Sequence, residues 1–367
     1  MTDGAPAIAA GVDSAVITDP HGTDASAAWD AFVAGHRQAT YLQTAAWARV
    51  KAANGWSSRL VVTSPGGDRG RFGARILLRR PRPVPWTFAY APRGPLGAAW
   101  DEASLGAWTA ALRGALGRDA VAHVRVDPEI ELDGPLDTGG AARASLRRLG
   151  WRPAPDVQPS VTRIVDLTRD ETDLWGDLRS KWRQYVNRAR SLGITVVDVD
   201  ADEDPTALPT FHRIMAETSI RTGTPIRTEA AYRDIWDAFR PTGGARLLFA
   251  RDPGGEVAAV LLLVRWGDRV VEPYGGMSAA GAERRANYLL KWEAIRTSRL
   301  AGASSYDLWG LVHPGIRQFK EGFGGREVRY IGAWDLPLNG LGWRSYRLAE
   351  GLRRGSRART ANGDGPA

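Results

Sequence analysis

Lys320 stands ten residues after the strand-like run Ser305-Tyr-Asp-Leu-Trp-Gly310 and inside Phe319-Lys-Glu-Gly-Phe-Gly-Gly325, between a strand end and a glycine-rich bend. Lysine is scarce in this chain: four residues (Lys51, Lys181, Lys291, Lys320) among 49 basic ones. Where arginine supplies charge almost everywhere, each remaining lysine is a candidate for a task that needs a compact ammonium rather than a planar fork. Glycines beside Lys320 would let the backbone approach a ligand closely, and the ammonium could meet negative charge developing on an oxygen. Asp127 ends a predicted strand before Pro128, where side chains emerge at a sheet edge; without a partner the pair reads as a strand terminator. Arg221 and Arg227 flank Thr222-Gly-Thr-Pro225, and either guanidinium suits phosphate oxygens. Tyr274 ends a strand before Gly275-Gly276, facing a cleft or the core, and Lys51 follows Trp47 by one helical turn. Lys291 reads as the outer part of a helix, where an arginine would be expected to serve equally well.

Composition narrows the field. The 367 residues, 43% hydrophobic with 15 tryptophans, can fill two cores. The absence of cysteine excludes disulfides, thiolate metal sites and a covalent thioester on the enzyme. The five histidines (His21, His36, His123, His212, His313) have no metal-ligand spacing, so no metal is expected. Met1–Val12 lacks a basic leader, and no run is apolar enough to span a bilayer, so cytoplasmic residence is expected. The net charge of +8 is concentrated late, with six arginines against Glu350 alone in residues 343–360. Trp343, Tyr346 and Leu352 interleave with them, a pattern of a solubilising end or of a surface for anionic membrane or RNA.

The elements that must carry these residues repeat. In the first half, strand Ser58–Thr63, turn Ser64-Pro-Gly-Gly67, strands Arg71–Arg79 and Thr87–Ala91, a helix from Glu102 to Leu116 and strand Ala120–Val126 follow one another. In the second, strand Ala245–Ala250, turn Asp252-Pro-Gly-Gly255, strands Val257–Trp266 and Arg269–Tyr274, a helix from Arg284 to Leu300 and strand Ser304–Trp309 recur. The turns lie 188 residues apart and the later elements 182–184 apart, the mark of a duplicated unit. Each unit is a mixed sheet of hairpins closed by a helix and a further strand. Between them, Thr162–Leu167 is a connecting strand, Arg179–Leu192 a basic helix ended by Gly193, Ile194–Val199 a strand and Pro209–Thr222 a helix. The basic helix, with Lys181, Arg183, Arg188 and Arg190, reads as a phosphate-binding or a solvated face. The last dozen residues are expected to be disordered.

Taken in order, these pieces resemble the Fem family, the aminoacyl-tRNA-dependent transferases that build peptide branches on peptidoglycan precursors. The resemblance spans roughly residues 36–338. It rests on Leu42-Gln-Thr-Ala-Ala-Trp-Ala-Arg-Val-Lys51 with Gly55-Trp56, Ala91-Pro-Arg-Gly-Pro95, Arg125-Val-Asp-Pro128, Leu149-Gly-Trp151 and Thr222-Gly-Thr224. Tyr274-Gly-Gly276, Asn287-Tyr-Leu-Leu290 with Trp292, and the two segments around Lys320 complete it. No sustained heptads provide a coiled-coil arm, so the likeness is to armless members.

The resemblance implies an α/β (α+β) fold of two tandem acetyltransferase-like (GNAT) domains, at 1–165 and 166–338. Residues 339–367 would form a helix returning toward the first domain and the disordered basic tail. It implies Lys320 and Asp127 as catalytic residues, Asp127 for positioning an acceptor more than as general base. It implies Lys51, Arg221, Arg227, Tyr274, Asp307 and Phe319 as substrate-binding residues, Lys51 through phosphate of a nucleotide-linked acceptor. Aminoacyl-tRNA would be the co-substrate, with no cofactor. The acceptor would be a UDP-linked or lipid-linked muramyl pentapeptide, or a small amine metabolite in an antibiotic pathway. A monomer, cytoplasmic or peripheral on the inner face of the plasma membrane, is expected. A non-catalytic RNA- or membrane-binding relative and an acetyl-CoA-dependent enzyme are the competing classes. For the latter, Arg240-Pro-Thr-Gly-Gly-Ala245 fits a pyrophosphate-loop expression but precedes a strand and opens no helix.

Overall fold

The computed structural model describes residues 23–64, 70–117, 119–311 and 313–362. Helices α1 (Thr23–Gly35) and α2 (Ala45–Ala52) precede β1 (Ser57–Thr63), β2 (Phe72–Arg79), β3 (Thr87–Ala91) and the two-residue β4 (Leu96–Gly97). Helix α3 (Glu102–Leu116) then leads to β5 (Val121–Val126), α4 (Ala141–Arg148) and β6 (Arg152–Ala154). From β7 (Val161–Asp166) the chain continues through α5 (Glu171–Asp177), α6 (Ser180–Ser191), β8 (Thr195–Val199), α7 (Ala207–Thr222) and α8 (Glu229–Phe239). A second meander, β9 (Ala245–Arg251), β10 (Val257–Trp266) and β11 (Arg269–Met277), is followed by α9 (Ala279–Glu283), α10 (Ala286–Leu300) and β12 (Ser305–Asp307). Helix α11 (Pro314–Glu321), β13 (Arg326–Arg329), β14 (Ala333–Pro337) and α12 (Gly340–Asn362) end the described chain.

The duplication read from sequence is the topology of the molecule. The first sheet is ordered β1-β2-β3-β5-β14-β6 with β4 beside β2; the second is β13-β7-β12-β11-β10-β9-β8. In each, three antiparallel meander strands are followed by a helix and a strand parallel to the third: β5 on β3, and β12 on β11. The helix covers the sheet because its apolar residues recur on one face. Leu105, Trp108, Leu112 and Leu116 of α3 pack on Val61, Phe72, Ala74 and Ile76, and Leu290, Ala294 and Ile295 of α10 join Leu248, Leu261 and Leu263. The central β10 is apolar almost throughout, as a strand covered on both faces requires. Asp101 starts α3 by accepting from the N–H of Ser104, and Gly193, at φ +75°, follows the end of α6.

The chain divides into two compact units, and the division differs from the sequence expectation in three places. One unit holds Gly55–Val157 and the chain from Ile331 onward; the other holds Ala27–Asn54 and Gln158–Tyr330. The reason is strand exchange along the sequence. The strand antiparallel to β5 is the distant β14, whereas its counterpart beside β12 is the early β7. Helix α2, which carries Lys51, packs on α8 and so belongs to the second unit. Helix α12 continues to Asn362, where disorder was expected from residue 356; residues 363–367, the N-terminal 1–22 and most of the first meander turn lie outside the described residues. No helix among the described residues is long and apolar enough to cross a membrane.

Candidate active site

Seven of the eight residues singled out by sequence fall in the second unit and form two clusters, with Arg221 at their edge; Asp127 lies in the first unit.

The Lys320 cluster starts from a buried carboxylate. Asp307, at the end of β12, accepts from the Thr162 hydroxyl, from the Arg269 guanidinium and, at 2.7 Å, from the backbone N–H of Trp309. Trp309 sits at φ +60°, a conformation that costs a non-glycine residue about 1–2 kcal/mol and persists only where its surroundings enforce it. The Asp307 bond provides that hold. The carbonyls of Trp309 and Gly310 then both accept from Lys320 Nζ, at 3.2 and 2.9 Å. Lys320 occupies the last turn of α11, which Pro314 opens and Gly322 caps. Burial, reinforced by the neighbouring charge of Lys291, lowers the ammonium from its ordinary 10.5 to about 8, against the pull of Glu272 and Asp307. At neutral pH Lys320 therefore remains a cation, but a weakly held one.

The glycines around it have a different use from the one expected. A Cβ at Gly322 would lie 2.3 Å from the Trp182 ring, and one at Gly325 would lie 2.4 Å from the Ile164 carbonyl oxygen. They press the bend onto α6 and β7 rather than opening it to a ligand. Phe319 likewise points to protein, edge-on to Tyr288 and Phe323 at 5.2 Å each, while its carbonyl accepts from the Trp182 indole. Lys291 is the clearest departure. Expected on the outside of a helix, it is 2% exposed, paired with Glu272 and set over the rings of Phe319 and Phe323. Its replacement cannot be silent, because the helix face read as solvated is the one against the sheet.

The second cluster gathers around Trp47. Lys51 Nζ lies 5.6 Å from that ring and the Arg227 guanidinium 6.0 Å from it. Arg227 Nε also donates to Tyr274 Oη at 2.7 Å. Tyr274 lies within β11 rather than at its end, since the strand continues to Met277. Burial raises its phenol above the usual value, against the opposing Arg227 charge. Position separates the two arginines: Arg227 joins Lys51 and Tyr274, while Arg221 is exposed and, among the described residues, donates only to the Met277 carbonyl, at 3.5 Å. Tyr41 stands edge-on to Trp47 at 5.4 Å and 6.5 Å from Trp309, so a row of rings links the two clusters.

In the first unit, Asp127 is 2% exposed. It accepts from Tyr90 Oη at 2.6 Å and from the backbone N–H of Arg93 at 2.7 Å. Arg93 is also at positive φ, +56°, and its guanidinium pairs with Glu129. Like Asp307, Asp127 holds a strained non-glycine residue through a carboxylate oxygen, a positioning task.

Sequence reading missed Glu272, Lys291, Tyr306 and Arg269. The signal was there: a lone charge within Val270-Val271-Glu272 and within Leu289-Leu290-Lys291-Trp292 interrupts runs that are otherwise apolar. The basic helix α6 is partly committed to its own unit, since Arg183 donates to the carbonyls of Gly176 and Leu178 and Arg190 pairs with Glu293; Lys181 and Arg188 are exposed. An open depression of ≈ 460 Å³ in the first unit, lined by Trp56, Arg59, Arg79, Arg80 and Asp119 among others, contains none of the eight candidate site residues.

Two mixed sheets, each a meander closed by a helix and a parallel strand, define a tandem acetyltransferase-like protein. The crystal structure of FemX shares this fold, with a TM-score of 0.77 at 21% identity over 88% of this chain and 98% of that one. A tandem GNAT protein from the clavulanic acid biosynthesis pathway is more distant, with a TM-score of 0.50 at 13% identity over 80% and 94% of the two chains. A sequence profile of the FemAB family matches residues 25–253 and 248–351, and the chain belongs to that family. Lipid II:glycine glycyltransferase of Staphylococcus saprophyticus is 28% identical over 233 residues, 61% of this chain and 54% of that protein. The Staphylococcus aureus protein of the same name is 26% identical over 240 residues, 63% and 55% of the two chains. The match therefore spans about half the length of these relatives.

Proposed function

We propose that this protein is a non-ribosomal aminoacyl transferase, moving an amino acid from aminoacyl-tRNA to the amine of a peptidoglycan-precursor stem peptide. The observation that carries the reading is Lys320, a cation with a lowered hold on its proton, placed by two carbonyls that Asp307 shapes. Membership of the FemAB family and the lipid II glycyltransferase relatives support the acceptor class.

In the reaction, the acceptor nitrogen attacks the ester carbonyl, the C–N bond forms, and the oxygen gains negative charge as the carbon becomes tetrahedral. The Lys320 ammonium meets that charge. The intermediate then breaks its bond to the ribose oxygen, which takes up a proton as the new amide nitrogen loses one. The ester is already activated, so orientation supplies much of the rate. Lys51 and Arg227, brought to one ring, suit the phosphates of a nucleotide- or lipid-linked acceptor. Asp127 keeps the turn containing Arg93 in shape and is not a free base. No cofactor enters this scheme, and the work belongs on the cytoplasmic side, where charged tRNA is found.

Purified protein is offered a pool of aminoacyl-tRNAs with UDP-linked muramyl pentapeptide, lipid-linked precursor or a small amine, and products are identified by mass. Transfer to a muramyl peptide that stops on addition of ribonuclease is expected, with acetyl-CoA inert. Acetylation at rates matching the tRNA reaction, or acylation confined to the small amine, would overturn the assignment.

A further inference from the structure

The reading of Lys320 leaves one costly feature of the second unit unused. Lys291 of α10 and Glu272 of β11 form an ion pair inside the core, 2% and 7% exposed. Taking two charges out of water costs several kcal/mol per ion, and apolar residues of similar volume often serve stability as well or better. Stability alone therefore does not explain the pair. Its position does: the Lys291 ammonium lies 5.5 Å from the centre of the Phe319 ring and 5.8 Å from that of Phe323. These two residues bracket Lys320 on either side. The other oxygen of Glu272 accepts from Tyr306 Oη at 2.8 Å, and Tyr306 neighbours Asp307 on β12.

We propose that the buried Lys291–Glu272 pair, trimmed by Tyr306, is a positioning device that fixes α11 and sets the charge of Lys320. The proposal rests on the role given to Lys320 above. The groups facing Lys320 are Lys291 from α10, Glu272 from β11 and Asp307 from β12, the last already paired with Arg269. On α11 itself Arg317 is paired with Glu327 and Glu321 with Arg179. Lys291 repels a positive charge at Lys320 and Glu272 attracts it. The Tyr306 hydrogen bond spreads part of the Glu272 charge onto the phenol, so Lys291 acts on Lys320 more strongly than Glu272 does. An ammonium that holds its proton less tightly is a stronger donor to an oxyanion, and it stops being one once it is discharged. Burial, first, and the Lys291 charge, second, lower Lys320 from its ordinary 10.5 to about 8.

The chain has only four lysines, so lysine labelled with ¹³C at Cε gives four resonances, and the spectrum of Lys320→Arg assigns the one that matters. Its pH titration is followed in wild type, Lys291→Met, Glu272→Gln, Tyr306→Phe and the uncharged double variant Lys291→Met/Glu272→Gln. Lys291→Met is expected to move the Lys320 titration up by about one unit, a tenfold change in proton affinity, because Glu272 loses its partner. Glu272→Gln is expected to move it down, because Lys291 loses its counter-charge. The double variant should return near wild type. Tyr306→Phe, the mildest change, should move it up, and the isosteric Glu272→Gln, whose downward shift loosening cannot imitate, decides the matter if Lys291→Met does not fold. Mere loosening of the core would raise the value in every variant. Shifts of one sign throughout, or none, would therefore overturn the proposal. The titration needs no substrate, so failure of the tRNA reaction leaves it intact, and an unmoved titration leaves the transfer reading intact.

Discussion

The two units use one topology and treat the cation beside the strand after the helix in opposite ways: Arg125 is buried, Lys320 half-buried. In the first, Arg125 of β5 makes paired bonds to Asp335 at 2.7 and 3.0 Å and to Glu350 at 2.8 and 3.1 Å. These partners raise its affinity for a proton above the ordinary value in spite of burial. Tyr346 of α12 lies under the guanidinium and stacks on Phe88 at 5.1 Å. The cation is consumed in fastening α12 to the sheet. In the second unit, Lys320 has two neutral carbonyls, a second lysine nearby, and a lowered value of about 8. A duplicated fold can thus spend a buried cation on closure in one copy and keep a half-buried one available for chemistry in the other.

The sharpest way to break the comparison is to remove each cation. Arg125→Met strands two carboxylates in the core, and loss of one partner of such a network costs about 3–5 kcal/mol. Chemical denaturation should show that loss, with kcat near wild type in the fraction that stays folded. A change under about 1 kcal/mol would mean that α12 is not fastened in this way. Lys320→Met should do the reverse: kcat falls about 10²–10³-fold, roughly 3–4 kcal/mol, while substrate binding and folding change little. Lys320→Arg should also be badly impaired, since a planar fork does not reproduce the two carbonyl contacts. Full activity of the methionine variant in single-turnover assays would remove Lys320 from the mechanism.

Linkage to pH sharpens the contrast with the signs worked out. Lys320 binds its proton less tightly folded, at about 8, than at its ordinary 10.5. Between those values the unfolded chain holds more protons, so stability rises with pH across that window. The rise attributable to Lys320 should vanish in Lys320→Met, as read by unfolding at pH 7.5 and 10. In the first unit, burial lowers His123 to about 4, and neither ring nitrogen has a hydrogen-bond partner among the described residues. Its imidazole stays neutral folded and is protonated unfolded, so stability is lost as pH falls from 6.5 to 4, by up to about 3 kcal/mol. His123→Phe, which suits the ring cluster of Phe88 and Tyr346, should remove that part of the acid sensitivity; an unchanged slope of stability against pH would show that His123 is not its source. The smallest effect belongs to the C-terminal basic stretch. Deleting residues 356–367 should leave kcat near wild type, because the stretch lies outside the motifs around Lys320 and its charge acts over a Debye length of about 8–10 Å. Abolished turnover at saturating substrate in a folded protein would place that stretch in the active site.

Much of this molecule is legible along the chain. Apolar periodicity fixed both meanders, the helices α3 and α10 that cover them, and the lag between the two copies, because strand and helix patterns are local properties of side-chain spacing. The scarcity of lysine pointed to Lys320, and the Thr-Gly-Thr turn to a neighbouring arginine. What the chain could not announce was anything depending on contacts distant in sequence. The exchange of β7 and β14 between sheets is such a contact, as is the placement of Lys51 with Arg227 and Tyr274 rather than with its own sequence neighbours. The pairing of Lys291 is another: its lone charge in Leu289-Leu290-Lys291-Trp292 hinted at burial, but its partner, a carboxylate 19 residues away on β11, appears only in the fold. The glycines after Lys320 were visible as a bend, but whether they admit a ligand or a tryptophan depends on what the fold brings there. Sequence determined which residues could carry charge and which segments could form elements. Tertiary structure decided which charges meet, because the energy of a buried ion is set by partners that only the folded chain assembles.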